Sequence, residues 1–198
     1  MIKPFSEACE RNRGPILDAL RTILADRTRV LEIGSGTGQH AVWFAAHLPH
    51  LVWQASDVAA HLPGIRAWID EARLPNLPPP IMLDIDAAQW PAVTMDAAFT
   101  ANTLHIVSWV QIERLIAQVA ALLPADGVFV AYGPFKRDGM HTAESNARFD
   151  LMLRERDPLS GIRDFEAADA LAARHGLALI DDRPMPANNA LAVWRKAR

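Results

Sequence analysis

A chain of 198 residues is long enough to bury a core within one domain. Its 51% apolar and 22% charged residues are those of an ordinary water-soluble protein. A net charge of −3 supplies no basic face for tight nucleic-acid binding, and the single cysteine, Cys9, excludes an internal disulfide and a cysteine zinc site. No run of about 18 apolar residues offers a membrane span. Residues 1–13 lack the apolar stretch of a signal peptide, so a reducing, cytoplasmic setting is expected.

Residues 3–14 are polar and predict irregular chain. Pro15 stands where a first helical residue is favoured. Ile16, Leu17, Leu20, Ile23 and Leu24 then recur at helical spacing to about Ala25. Next comes VLEIGSGTGQH, residues 30–40. The apolar pair Val30-Leu31 closes on Glu32, glycines follow at alternate positions (Gly34, Gly36, Gly38), and an amphipathic helix runs to Leu48. This is strand, glycine loop, helix, with the loop ending at a helix N-terminus. A strand at 51–56 ends at Asp57, a helix at 61–72 turns Ile65, Trp68 and Ile69 inward, and residues 74–80 form a proline-rich loop. A third strand, 81–83, ends at Asp84. A fourth, 97–100, leads into a loop at 102–107.

Ser108 with Gln111 three residues later reads as a capping box. Its helix is followed by Asp126-Gly127 and a strand at 128–132. Residues 133–163 carry no strand pattern. A connection of that length in a domain is usually functional. Phe149, Met152 and Leu153 at helical spacing predict a short helix at 142–155, read as a lid. Asp164 caps a helix at 165–175 that Gly176 ends. Strands at 177–180 and 191–194 are separated by the turn-rich MPANN. Strands alternating with helices predict an α/β fold with helices on both faces of a mostly parallel sheet. The last two strands, joined without a helix, predict an antiparallel C-terminal hairpin. Five parallel strands plus that hairpin make the seven-stranded, Rossmann-like plan of a class I methyltransferase. It is expected as one domain over residues 1–198, with residues 1–27 as N-terminal segment and helix and 133–163 as a lid-like insert.

The glycine spacing chooses among ligands. A dinucleotide fingerprint wants glycines at first, third and sixth positions, and the sixth position from Gly34 is Gln39. The pattern is instead acid-x-Gly-x-Gly-x-Gly from Glu32, which suits S-adenosylmethionine. That cofactor has no phosphate for the helix N-terminus. Its ammonium and ribose diol call for carboxylates and carbonyls at strand ends. Asp57 can accept the ribose hydroxyls, and Asp84, with Ile85 beside it, can meet the adenine. Asn102, Thr103 and Leu104 follow the fourth strand, where backbone carbonyls suit the ammonium and Leu104 can wall the adenine.

SEACERNRGPIL, VLEIGSGTGQH, LDID, ANTLHI, YGPFKRDGMHTAESNARFD, DPLSGIRDF and PMPANN together span nearly the whole chain. In these motifs the chain resembles the uncharacterised family of methyltransferase-like protein twenty-six, a domain of unknown function. The resemblance implies a class I fold and S-adenosylmethionine binding, and it names no acceptor. Ser160 departs from the pattern, which leads us to expect an aromatic there, and so bears on a wall of the substrate site.

Methyl transfer asks for alignment, exclusion of water and sometimes a proton acceptor. His105, just past the fourth strand, stands well for a general base, although a histidine that packs beside the cofactor and takes no proton is slightly the more favoured reading there. His141 in the insert is a second candidate. Arg11 and Asn12 in the N-terminal segment, and Lys136 and Asn146 in the insert, are candidate acceptor contacts, each with a solvated-surface reading beside it. Asn188 and Asn189 suit either the pocket or a turn. The histidine spacing builds no metal site. A small-molecule acceptor is expected, with no membrane and no nucleic-acid partner. A protein or RNA methyltransferase and a catalytically silent S-adenosylmethionine-binding module stay open as alternatives, as does the oligomeric state.

Overall fold

Side-chain caps start three of the helices, and apolar faces decide how most of the elements pack. The computed structural model describes residues 3–198, which group into two compact units, one ending at Phe99 and one starting at Thr100. In the first, α1 (Glu7–Ile23) begins at Ser6, whose side chain accepts from the Cys9 N–H at 3.4 Å. Most of the polar stretch at 3–14, expected to be irregular, is therefore helix, and Pro15 lies inside it rather than at its first residue. Glu7 and Glu10 in the first turn suit the helix dipole there, and Ile16, Leu17, Ala19 and Leu20 bury the face that follows.

Strand β1 (Arg29–Ile33) pairs in parallel with β2 (Val52–Asp57) and with β4 (Ala97–Ala101), and β2 pairs with β3 (Ile81–Met82). Parallel register sets Ile33 opposite Ser56 and Asp57 opposite Met82, so the strands end along one edge. Helices α2 (Gln39–His47) and α3 (Leu62–Ala72) are the crossovers. Phe44, Trp53 and Phe99 are fully buried, with ring centroids 5.2 to 5.6 Å apart.

In the second unit, α4 (Trp109–Leu122) opens with the capping box read from Ser108 and Gln111. Strand β5 (Val128–Gly133) leads into the insert, which is more ordered than its sequence suggests. It contains β6 (Phe135–Arg137), β7 (Met140–His141), α5 (Glu144–Arg156) and β8 (Arg163–Asp164). Strand β6 lies between the other two in a small separate sheet. Asp138 and Gly139, at φ 49° and 74°, make the turn between β6 and β7. Two left-handed residues in succession fit an Asp-Gly hairpin. Helix α6 (Phe165–Arg174) is capped by Asp164 as expected. Strands β9 (Leu177–Met185) and β10 (Asn189–Lys196) are antiparallel and twice as long as their apolar cores predict. Phe129, Trp194, Phe165 and Phe135 form a continuous aromatic row beneath them.

The main sheet has seven strands in the order β3-β2-β1-β4-β5-β10-β9. It is parallel apart from the final hairpin, whose β10 runs antiparallel to β5 and to β9, as the sequence predicts. Among the described residues no helix is long and apolar enough to cross a membrane.

Two loop glycines separate backbone strain from crowding. Gly36 sits at φ 58° with nothing within 4 Å of an added Cβ, whereas at Gly38, φ 90°, that atom would lie 2.9 Å from the Ile65 Cα. Gly36→Ala is expected to cost about 1 kcal/mol, the left-handed backbone penalty alone. Gly38→Ala should cost about 3 kcal/mol, because overpacking against backbone adds to that penalty. Urea denaturation of the two variants measures the difference.

Candidate active site

The glycine loop is built by β2 as much as by its own residues. The N–H groups of Gly34 and Ser35 both donate to the Ser56 carbonyl, at 3.1 and 3.0 Å. The Ser56 N–H donates to Ser35 Oγ at 3.1 Å, and Ser56 Oγ donates to the Glu32 carbonyl at 2.6 Å. Asp57 then holds the middle of the loop, with Oδ2 accepting from the Gly36 N–H at 2.7 Å. Its Oδ1 accepts from the Val58 N–H at 2.7 Å and lies 2.8 Å from His61 Nδ1. The space above Gly36 is open, so a ligand can lie directly on the backbone.

Gln39 explains why the sixth position is not glycine. It is 3% exposed. Its Oε1 accepts from the Ser6 N–H at 2.6 Å and from Thr37 Oγ1 at 3.0 Å, while its Nε2 donates to Glu10 at 2.8 Å. One amide thus braces the start of α1 against the loop, which a glycine could not do.

Among the acidic residues nominated for the cofactor, the structure distinguishes three environments. Asp57 lies against the loop, as described. Glu32 is turned inward and buried, accepting from Trp53 Nε1 at 3.0 Å. Burial pushes its carboxyl up to about 7, against the pull of hydrogen bonds from Trp53 and Ser35. Its side chain is thus a buried brace under the loop and not an open acceptor for ribose. Asp84 is exposed and accepts from the Asp86 N–H at 2.9 Å, a turn-forming contact, with Ile85 half-buried beside it.

The N-terminal candidates separate. Asn12 Oδ1 accepts from His40 Nε2 at 2.7 Å. Burial, helped by the Arg13 charge, lowers His40 to about 4, so the ring is neutral near pH 7. Arg11 is 70% exposed and pairs with Glu7 one turn earlier on the same helix. That is the solvated-surface arrangement and not a ligand contact.

The second unit gathers its own group. Asn102 takes a left-handed φ of 59°, and its N–H donates to the Tyr132 carbonyl at 2.8 Å. Such strain in a non-glycine residue is found where the surroundings demand it. Thr103 Oγ1 donates to the Ala101 carbonyl at 3.4 Å, and Leu104 is buried. His105 is 5% exposed, and its ring meets the edge of Phe149 at 5.2 Å and 74°. Burial, with the Arg163 charge nearby, lowers it to about 4. His105 Nδ1 and Asn102 Oδ1 would lie 3.6 and 3.9 Å from a Cβ on Gly133, ordinary contact distances, so both side chains face the end of β5.

Lys136 and His141 are brought together, but on a carboxylate. Lys136 Nζ and His141 Nε2 each lie 3.4 Å from Asp150 Oδ2, and Arg154 Nε lies at 3.2 Å. Burial raises the Asp150 carboxyl. The Ile162 N–H and the Arg154 and Lys136 charges outweigh that and hold it below the usual range. Asn146, buried, donates from Nδ2 to Thr142 Oγ1 at 3.1 Å and to the Asn188 carbonyl at 2.9 Å. Beside it a cavity of about 300 Å³ is lined by Arg137, Thr142, Asp182, Asn188 and Asn189 among others. A larger groove of about 420 Å³ along α4 and α6, lined by Val110, Glu113, Arg114, Arg174 and His175 among others, holds none of the nominated residues. Among the described residues no group of three or more His, Cys, Asp or Glu is placed to hold a metal ion.

Sequence reasoning missed Trp53, His61, Gln39 as a brace, and Asp150. Asp150 precedes Arg154 by four residues within one helix, so helical pairing was a usable signal for it, whereas Asp57 ends a strand and its contact with His61 had no such signal. Ser160, expected to bear on a substrate wall, is buried and donates its hydroxyl to the Ile106 carbonyl at 2.5 Å.

A family model described as a protein of unknown function, DUF938, matches residues 3–196. Solved structures share the fold at low identity. An O-methyltransferase family protein from Burkholderia thailandensis superposes with a TM-score of 0.82 at 17% identity, over 96% of this chain and 58% of that one. The S-adenosylmethionine-dependent methyltransferase SibL gives 0.81 at 21%, over 96% and 56%. The mitomycin 7-O-methyltransferase MmcR gives 0.83 at 17%, over 96% and 54%. The chain therefore spans a little over half the length of these proteins.

The buried titratable groups oppose one another in acid. His40 and His105 bind protons unfolded near 6.5 but folded only near 4. Each therefore removes on the order of 3 kcal/mol of stability as pH falls through that window. Glu32, raised from 4.5 to about 7, has the reverse sign: the folded state binds its proton first, so it gains stability over nearly the same fall. Net acid destabilisation equivalent to about one histidine is expected for the ligand-free protein. Glu32→Gln should steepen it by removing the opposing group. Thermal unfolding from pH 7 to 4 reads both.

Proposed function

We propose that this chain, which belongs to the DUF938 family, is an S-adenosylmethionine-dependent methyltransferase acting on a small acceptor molecule. The observation that carries the reading is the open glycine loop held to Asp57, with the Gly36 N–H bound to the carboxylate at the end of the neighbouring parallel strand. The cradle fits this cofactor: it leaves the backbone bare over Gly36, offers no sixth glycine for a pyrophosphate, and keeps a carboxylate for hydroxyl groups. When bound, S-adenosylmethionine supplies a methyl group already activated on a sulfonium.

The chain's own residues bind, orient and take a proton. Asp57 holds the ribose, and Glu32 stiffens the loop from below. Asn102, Thr103 and Leu104 supply carbonyls and an apolar wall. His105 is the general base: buried, and neutral above about 4. The cavity beside Asn146 and Asn188, about 300 Å³ with walls that mix Phe135, Pro184 and Met185 with Arg137, Asp182 and Asn189, suits a small acceptor. The O-methyltransferase names of the similar structures favour oxygen as the atom methylated. In this reading residues 1–198 work as one domain in a reducing, cytoplasmic setting. The family is then the one its motifs resemble, that of methyltransferase-like protein twenty-six.

Calorimetry with S-adenosylmethionine tests the donor half. Micromolar binding is expected, weakened at least tenfold by Asp57→Ala. No heat at about 1 mM cofactor overturns the reading. Transfer from methyl-labelled cofactor to panels of small hydroxyl compounds, RNA and protein tests the acceptor half, and label on RNA or protein alone overturns the small-molecule assignment. His105→Gln should lower kcat by roughly 10² to 10⁴. The acid limb of the wild-type kcat/KM profile should fall near 4, where the buried imidazole titrates, and not near 6.5.

A further inference from the structure

The loop that carries His105 is gripped by a single short segment. Leu104, His105, Ile106 and Val107 present four successive backbone carbonyls, and residues 160–163 donate to all of them. Arg163 Nε donates to the Leu104 carbonyl at 3.0 Å, the Gly161 N–H to His105 at 2.9 Å, and Ser160 Oγ to Ile106 at 2.5 Å. Arg163 Nη2 donates to Val107, and also to the Leu159 carbonyl at 2.8 Å. A half-buried guanidinium thus directs its donors at neutral carbonyls. Its rigid fork spans two of them at once, which a lysine ammonium on a flexible stem cannot reproduce.

The same segment is fastened to α5. The Ile162 N–H donates to Asp150 Oδ1 at 2.6 Å. Gly161 has φ 144°, and a Cβ there would lie 2.8 Å from Asp150 Oδ1 and 2.6 Å from Arg154 Nη2, so the contact requires glycine. Phe149, next to Asp150 on that helix, packs against the His105 ring. The histidine is therefore held by its backbone from one side and by its ring from the other, and Asp150 ties the two holds together.

We infer that Arg163 is a positioning residue for His105: with Ser160 and Gly161 it fixes the loop so that the imidazole keeps one orientation, and Asp150 couples that orientation to the insert helix. The catalytic consequence rests on the methyltransferase reading. The geometry does not.

The test uses full-length protein with labelled histidine, comparing wild type, Arg163→Lys and Ser160→Ala, with His105→Gln to assign the His105 signal. NMR titration of the His105 ring needs no activity. Arg163→Lys is expected to move its midpoint up from about 4 toward the ordinary 6.5, with Ser160→Ala moving it the same way by less. In the kinetic arm, Arg163→Lys should lower kcat by about tenfold or more, leave KM for S-adenosylmethionine unchanged, and carry the acid limb upward with the NMR midpoint. Unchanged titration and an unchanged acid limb in both variants would overturn the proposal. Should Arg163→Lys fail to fold, Ser160→Ala decides by the same titration. Should the wild-type protein neither bind the cofactor nor transfer methyl, the methyltransferase reading falls alone, and the titration still decides whether residues 160–163 hold the ring.

Discussion

The first unit depends on one carboxylate. Asp57 accepts from the Gly36 N–H and the Val58 N–H and faces His61, so it joins loop, strand end and helix entry at a single point. Gly36 is in a left-handed conformation with nothing packed above it, so apolar packing does not hold it in place. Hydrogen bonds to a charged acceptor are each worth about 1.5–3 kcal/mol, enough to hold a loop that packing leaves free. The parallel register makes this possible: Ile33 faces Ser56, and the residues after each therefore leave the sheet side by side. Ser56 repeats the arrangement in neutral form, with its carbonyl taking two loop N–H groups and its hydroxyl returning a bond to Glu32.

The second unit has a counterpart in Asp150. A carboxylate this buried would be costly alone, and the structure surrounds it with the Ile162 N–H, Arg154, Lys136 and His141. Helix α5 has few apolar residues facing inward, burying Asn146, Asp150 and Leu153. Polar bonds therefore place it where a hydrophobic stripe would place an ordinary helix.

Several features were legible without coordinates because they are local. The capping box at Ser108 and Gln111 depends on residues three apart, and the crossover helices announce themselves by apolar spacing. The absence of a sixth glycine was visible too, but its reason was not: Gln39 braces Ser6 and Glu10, and only the docking of α1 brings those groups within reach. The strands of the insert escaped because two or three residues are too few for periodicity to register, although Asp138-Gly139 was a usable hairpin signal. Arg11 was a candidate acceptor contact by its place in the N-terminal segment. Helix α1 extends further toward the N-terminus than Pro15 suggested, and that extension turns Arg11 to solvent beside Glu7.

By itself the sequence determined the glycine loop, the crossover helices and the longer strands of the main sheet, and that carboxylates stand near the strand ends, because backbone preference and apolar period act over a few residues. Tertiary structure alone decided what each polar side chain faces. Glu32 went inward to Trp53, Asp57 went to the loop, Lys136 and His141 went to Asp150, and four carbonyls around His105 went to residues 160–163. Hydrogen bonds have short reach and strict direction, so their partners, separated by 21 to 59 positions in the Glu32 and Arg163 pairs, are chosen only once packing has set the backbones in place.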